Sequence, residues 1–308
     1  MILIITHKED FTADFIIKKL NDSGINYYRL NCEDIDKETY SFENNENFTF
    51  NINGIKSFDS VWFRRPKLPD LKNVNEAEKL YLLNDYDTLL DNIYQVIDSK
   101  RWLSHPKYVY EAENKILQLK IAQKIGFKIP PTIITNNHNK LNDFILKHHN
   151  NVIIKPIRQG RFLQNEGFKT IFTNKIDYEK IKSLKNFDLT PSIFQEYISK
   201  EYEIRVTVVA NKVFSAKVNS QLKDETKIDW RKEKVPFEKY DLPKSICDKC
   251  IEITKHLNLS FGAIDLIKNK NGDYIFLEIN PNGQWVWLEM DAGINISTEI
   301  IKFLTSEL

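Results

Sequence analysis

Two carboxylates and an amide near the end of the chain could together hold a divalent cation. The stretch FGAIDLIKNKNGDYIFLEIN (261–280) reads as two strands flanking Asn271 and Gly272, a dipeptide that suits a type I′ turn because both central residues take positive φ. A two-residue loop there pairs Lys270 with Asp273, sets Asp265 opposite Glu278 and sets Ala263 opposite Asn280. Side-chain alternation then puts Asp265, Glu278 and Asn280 on one face. Opposed carboxylates repel, and burial among Ile264, Leu266, Ile275 and Leu277 worsens the repulsion or raises one pKa. A cation removes the conflict, and hard oxygen ligands suit Mg²⁺ that also bridges phosphates. The competing readings are two acids at a wet sheet edge, or one protonated acid.

A second group of residues suits phosphate. In NVIIKPIRQGRF (151–162), Lys155 closes an apolar strand, where an ammonium is costly unless it meets an anion or snorkels to water. Arg158, Gly160, Arg161 and Gly167 follow; glycine permits close backbone approach to phosphate and arginine offers bidentate recognition. In SIFQEYISKEYEIRVTVV (192–209), Glu196 ends one strand and Glu203 opens another, with Glu203, Arg205 and Thr207 on one face by alternation. An acid for ribose hydroxyls and a base for a transferred phosphate would be useful there; a cross-strand salt-bridge face is the alternative. There is no GxxxxGK[ST] loop and no HRD or DFG motif, which excludes P-loop and protein-kinase chemistry.

These residues need strands to carry them. MILIIT, an apolar helical pattern from Phe11 to Leu20 and NYYRL form a βαβ opening, followed by the strands FTFNI and SVWFRRP. A long helix is expected over 75–99, with Leu80, Leu83, Leu90, Ile93 and Ile97 on its apolar stripe. EAENKILQLKIAQKIG (111–126) reads as one helix closed by Gly126. Strands TIIT, NVIIKP, KTIFT, SIFQEYI, EIRVTVV and KVFSAKV come next, then a helix, the 261–280 hairpin and a C-terminal helix. Cys247 and Cys250 form a CxxC, but Ile246, Cys247, Cys250, Ile253, Thr254 and Leu257 follow helical spacing and read as core.

At 308 residues the chain suits two or three compact units. A net charge of +1 predicts no strong nucleic-acid or membrane partner through a long-range field. The apolar run at the N-terminus is too short for a signal peptide, and no stretch has the length of a membrane span. Three cysteines make no disulfide framework, so a cytoplasmic location is expected.

In order, Lys115, Lys155, the 160–167 loop, Glu196 and Glu203, then Asp265, Glu278 and Asn280, resemble the ATP-grasp fold of carboxylate ligases across the whole chain. The resemblance implies an α/β (α+β) architecture with an N-terminal βαβ pre-ATP-grasp domain at 1–104, a central lid subdomain at 105–191 and a C-terminal ATP-grasp subdomain at 192–308. It implies that Lys115 and Lys155 bind the phosphates of ATP, Glu196 the adenine amino group beside the Tyr197 and Ile198 backbone, and Glu203 the ribose. Asp265, Glu278 and Asn280 would hold Mg²⁺.

A narrower similarity lies in VWFRRP (61–66), KVNSQ (217–221) with DWR (229–231), and EINPNGQWVWLE (278–289). These resemble the graspetide synthetases, the microviridin-type peptide macrocyclases that join Asp or Glu side chains of a ribosomal precursor peptide to Thr, Ser or Lys side chains. The resemblance implies a precursor peptide as partner, with a leader and an acidic, Thr-rich core, and a homodimer. It also implies activation of the carboxylate as an acylphosphate and ω-ester formation. Arg205 would stabilise the transferred phosphate and the later oxyanion, and Arg231 would grip the acceptor carboxylate. Segment 219–240, with Trp230, Phe237 and Tyr240, reads as a peptide-docking hairpin or a solvated insertion. Of Arg64 and Arg65, adjacent on a strand, at most one reaches a ligand. Three rivals stand beside this reading: a RimK-like ligase forming amides to Lys or adding a free amino acid, a small-molecule kinase, and a peptide-binding module without turnover.

Overall fold

The computed structural model describes residues 1–44, 46, 48–158, 161–164, 167–176, 179, 181 and 191–306. The N-terminal part contains β1 (Ile2–Thr6), α1 (Phe11–Asp22), β2 (Tyr27–Asn31), the hairpin β3 (Tyr40–Asn44) and β4 (Phe48–Ile52), β5 (Ser60–Phe63), α2 (Glu76–Val96) and β6 (Trp102–Leu103). Strands β2, β1, β5 and β6 form one parallel sheet in that order. α1 begins where Asp10 accepts hydrogen bonds from Thr12 N and Ala13 N, a capping carboxylate at the end of β1. The long-helix stripe is half right. Leu90, Ile93 and Ile97 are buried and Leu83 is half-buried, whereas Leu80 is 65% exposed.

The expected single helix over 111–126 is two: α3 (Pro106–Ala112) and α4 (Lys115–Lys124). Asn114 breaks it, its side chain accepting from Ile116 N and Leu117 N and starting a new helix at Lys115. Then come β7 (Thr132–Ile134), α5 (His138–Lys147), β8 (Val152–Pro156), the hairpin β9 (Arg161–Gln164) and β10 (Gly167–Thr170), β11 (Asn174–Lys175) and β12 (Ser192–Glu196). Strands β11, β8, β12 and β7 make a second sheet. Ser192–Glu196, expected to open the last segment, is hydrogen-bonded into this second sheet between β8 and β7.

The third sheet is antiparallel, in the order β15 (Phe237–Lys239), β14 (Lys212–Val218), β13 (Lys200–Val209), β16 (Phe261–Asn269) and β17 (Tyr274–Asn280). α6 (Lys244–His256), α7 (Val286–Ala292) and α8 (Ile296–Thr305) complete the chain. Alternation sorts β13 as expected. Ile204, Val206 and Val208 join Cys250 and Ile253 of α6 in one core, and Glu203, Arg205 and Thr207 share the other face. Burying each such aliphatic side chain contributes about 1.5–3 kcal/mol. Cys247 lies on the same helix as Cys250, so the CxxC belongs to packing. A second core joins Ile2 and Ile4 of β1, α1 and Trp62 to Val209, Ala263, Trp285 and the apolar face of α8.

The hairpin reaches its expected pairing by an unexpected route. Asn269, not Lys270, closes the turn: its side chain accepts from Asn271 N and Asp273 N, and Gly272 has φ +83°. That loop sets Leu266 opposite Phe276, one residue out of the expected register. A β-bulge at Leu277 then restores Asp265 opposite Glu278 and Ala263 opposite Asn280.

Candidate active site

The third sheet carries the acids. Asp265 and Glu278 are each 20% exposed at the side chain, so neither is sealed in the core. Asn280 joins them: its Nδ2 lies 3.3 Å from Asp265 Oδ2 and 3.4 Å from Glu278 Oε1. The amide therefore donates to both acids, and an amide turned over would present Oδ1 to a cation held by the same pair. Among the described residues no three His, Cys, Asp or Glu side chains converge on a metal-sized site, so a cation here needs Asn280 and phosphate oxygens besides the two carboxylates. Hard oxygen donors at this place fit Mg²⁺.

Four cationic side chains surround the pair. Lys115, the first residue of α4, places Nζ 3.2 Å from Glu278 Oε2. Arg205, directly across from Asp265 in the ladder, donates from Nη1 to both Asp265 oxygens at 2.9 and 2.8 Å. Lys155 stands half-buried on the second sheet. Burial depresses its pKa to about 8, with Glu278 pulling up and Lys115 pushing down. Burial also acts upward on Glu278, but Lys115, Lys155 and Arg231 outweigh it and hold the carboxyl below its usual range. Asp265 moves the other way, raised by burial and by Glu278 against the opposing pull of Arg205. The cluster thus holds charge in excess of what its own acids need, and a polyphosphate would supply the missing anion. Arg205 Nε is buried with no partner, a donor left over for a ligand oxygen.

Two residues unmarked in the sequence position this cluster. Gln118 is 2% exposed and holds α4 against the edge strand β17, donating from Nε2 to Ile279 O and Ala112 O at 2.8 and 2.6 Å and accepting from Ile279 N at 3.0 Å. One helical turn from Lys115, it sets the lysine over Glu278 and closes an open sheet edge. Asp229 grips Arg231 through Nε at 2.8 Å and Nη2 at 2.5 Å and also accepts from Thr173 N at 3.3 Å. Arg231 remains 50% exposed, near enough to Asp265 and Glu278 to feel both. A polar residue on a helix stripe, as Gln118 is, was the available signal; Asp229 had only its place in DWR.

Glu196, Tyr197, Ile198 and Glu203 lie where β12 passes into β13. Glu196 has His148 Nδ1 at 3.5 Å. The Tyr197 N–H donates to Asn151 O at 2.8 Å, its carbonyl accepts from Asn151 Nδ2 at 3.0 Å, and Ile198 follows in the connection between the two sheets. Glu203 is buried with Lys200 Nζ at 2.7 Å from Oε1, and burial raises its carboxyl despite that lysine. Lys200 also reaches Ile228 O at 3.2 Å. Of the loop residues, Gly160 lies outside the described residues, Arg158 is exposed, and Arg161 and Gly167 open β9 and β10.

Segment 219–240 does not offer its aromatics. Trp230 and Phe237 pack with Trp287 of α7 at ring separations of 4.4–5.5 Å, and Tyr240 bonds the hydroxyls of Tyr202 and Tyr274. Their apolar area is spent on the fold, and Leu222, exposed, is left at the surface. Arg64 is likewise not a ligand residue: it is 1% exposed and ion-paired with Asp10 at 2.8 Å.

An antiparallel sheet bearing two acids, faced by a second sheet bearing a lysine, with the chain passing between them at 197–199, is an ATP-grasp fold. The chain belongs to the RimK-like ATP-grasp family, whose domain matches residues 112–304. It is an ATP-grasp ligase. Among solved structures it is similar to a RiPP-associated ATP-grasp ligase from Chryseobacterium gregarium, in complex with ADP and a leader and core peptide. That likeness has a TM-score of 0.88 and 28% identity over 98% of this chain and 96% of that one. The macrocyclase MdnC of Microcystis aeruginosa, bound with precursor peptide MdnA, gives 0.87 and 26% over 99% of both chains. By sequence, a probable alpha-L-glutamate ligase of Histophilus somni is 23% identical over 256 residues, 76% of this chain and 81% of that one.

Proposed function

We propose that the protein is an ATP-dependent peptide macrocyclase that activates Asp or Glu side chains of a ribosomal precursor peptide and joins them to Thr or Ser hydroxyls. The observation that carries the choice of substrate is the whole-chain likeness, including the N-terminal sheet, to a ligase holding leader and core peptides. Asp265, Glu278 and Asn280 would hold Mg²⁺, which when bound supplies charge neutralisation at the phosphates. Lys115 and Lys155 bind the β- and γ-phosphates, and Glu196, the Tyr197 and Ile198 backbone and Glu203 bind the adenosine. Lys200 and Ser220 both hydrogen-bond the Glu203 carboxyl and fix it for the ribose hydroxyls. The substrate carboxylate attacks the γ-phosphorus in line, ADP leaves, and the hydroxyl oxygen then displaces phosphate from the acylphosphate. Arg205 stabilises the phosphoryl group and then the oxyanion, and Arg231 orients the acceptor carboxylate. A homodimer belongs to this reading.

The second reading, amide formation to an amine or addition of a free amino acid, is favoured by the family match and the glutamate-ligase relatives. Intact mass separates them. The protein, ATP, Mg²⁺ and the acidic, Thr-rich peptide encoded beside its gene should yield a product lighter by whole waters, reversed by mild base. Water loss that survives base means an amide, gain of an amino-acid mass means the second reading, and gain of phosphate means a kinase.

A further inference from the structure

We propose that Gln284 is a positioning residue for Arg205, through which the N-terminal sheet takes part in catalysis. The inference rests on Arg205 meeting the γ-phosphate. Arg64, at the end of the β5 strand, is buried with Asp10 at 2.8 and 3.3 Å and lies over the Trp62 ring at 5.3 Å. Asp10 is also bonded by Thr6 Oγ1 at 2.8 Å and by the first amides of α1, so its acceptor capacity is filled.

A buried ion pair of this kind adds little stability over well-packed apolar side chains. What Arg64 does beyond the pair is reach outward: its Nη2 lies 3.3 Å from Gln284 Oε1, and Thr12 Oγ1 donates to that same oxygen. Gln284 is thereby fixed by two elements of the N-terminal part, 220 and 272 residues away in sequence. Its backbone carbonyl then accepts from Arg205 Nη2 at 3.4 Å. With Nη1 on Asp265 and Nη2 on this carbonyl, the guanidinium has one orientation, and its unpartnered Nε is the edge left for a ligand.

Gly283 tightens the same contact. A Cβ there would lie 2.7 Å from Arg205 Nη2 and 2.4 Å from the Ala263 Cβ, so the loop can press on Arg205 only as glycine. The φ of Gly283 is not in the left-handed region, so the requirement is space and not backbone conformation.

The test compares two nucleotides by titration calorimetry with Mg²⁺ on the full chain. Gln284→Leu keeps similar bulk and removes the acceptor for Arg64 and Thr12. It should weaken the non-hydrolysable ATP analogue AMPPNP by about tenfold and leave ADP binding at the wild-type value, because only the γ-phosphate meets Arg205. Unchanged affinity for both nucleotides in Gln284→Leu, or equal loss of both, would overturn the inference. Wild-type protein that binds neither nucleotide would overturn it together with the phosphate role of Arg205. No peptide enters the experiment, so a wrong peptide assignment leaves its result intact.

Discussion

Glu278 stays ionised because Lys115, Lys155 and Arg231 outweigh the cost of its burial. Much of this was readable from residue types: a lysine closing an apolar strand and a carboxylate ending another are costly without counter-charges, and both were provided for. The grips that hold the cluster were not readable. Asp229 lies two residues from Arg231, and Lys200 three from Glu203, spacings that match any loop or strand until three-dimensional packing selects them. A pH prediction follows from Lys155. Burial lowers its pKa to about 8, so the free protein loses this positive charge where an ordinary lysine would keep it to about 10.4. Phosphate binding favours the charged form. Affinity for AMPPNP should fall between roughly pH 7 and 9 in the wild type and stay level in Lys155→Arg, whose guanidinium keeps its proton. A level wild-type profile over that range would contradict the assignment.

The hairpin and α4 show how elements deliver these residues. Alternation and opposed pairing were legible and correct at the site, although the turn was not: Asn269 replaced the two-residue loop, and the bulge at Leu277 compensated. A bulge has no dependable signature in a single sequence, because any residue can be the extra one. The break at Asn114 was readable in principle as an N-cap asparagine, but the apolar period running through it favoured one helix. Gln118 is the fastening between α4 and β17, so its loss should be felt in stability and at the site. Gln118→Leu leaves the Ile279 N–H and C=O buried without partners and should cost about 1–3 kcal/mol in urea denaturation at unchanged m. A variant as stable as the wild type would mean that water or another group satisfies the β17 edge.

At the level of the molecule, three sheets divide the work. The third carries acids and Arg205, the second carries Lys155, and the parallel N-terminal sheet, through Arg64 and Gln284, sets the loop against Arg205. Sequence order alone indicated the ATP-grasp architecture, since the chemical residues occur in one succession along the chain. The joins between sheets stayed hidden because they rest on residues far apart in the chain, such as Ser104 accepting from Ser260 N and Phe261 N, 156 and 157 positions on. The central claim is that a side-chain carboxylate of the peptide is activated by phosphate transfer from ATP. A precursor peptide whose Asp and Glu carboxylates carry heavy oxygen tests it directly. The carboxylate oxygen that attacks the γ-phosphorus departs with phosphate when the acceptor displaces it. Turnover should therefore release one heavy oxygen into inorganic phosphate for each ring closed; unlabelled phosphate alongside a cyclised peptide would contradict the account.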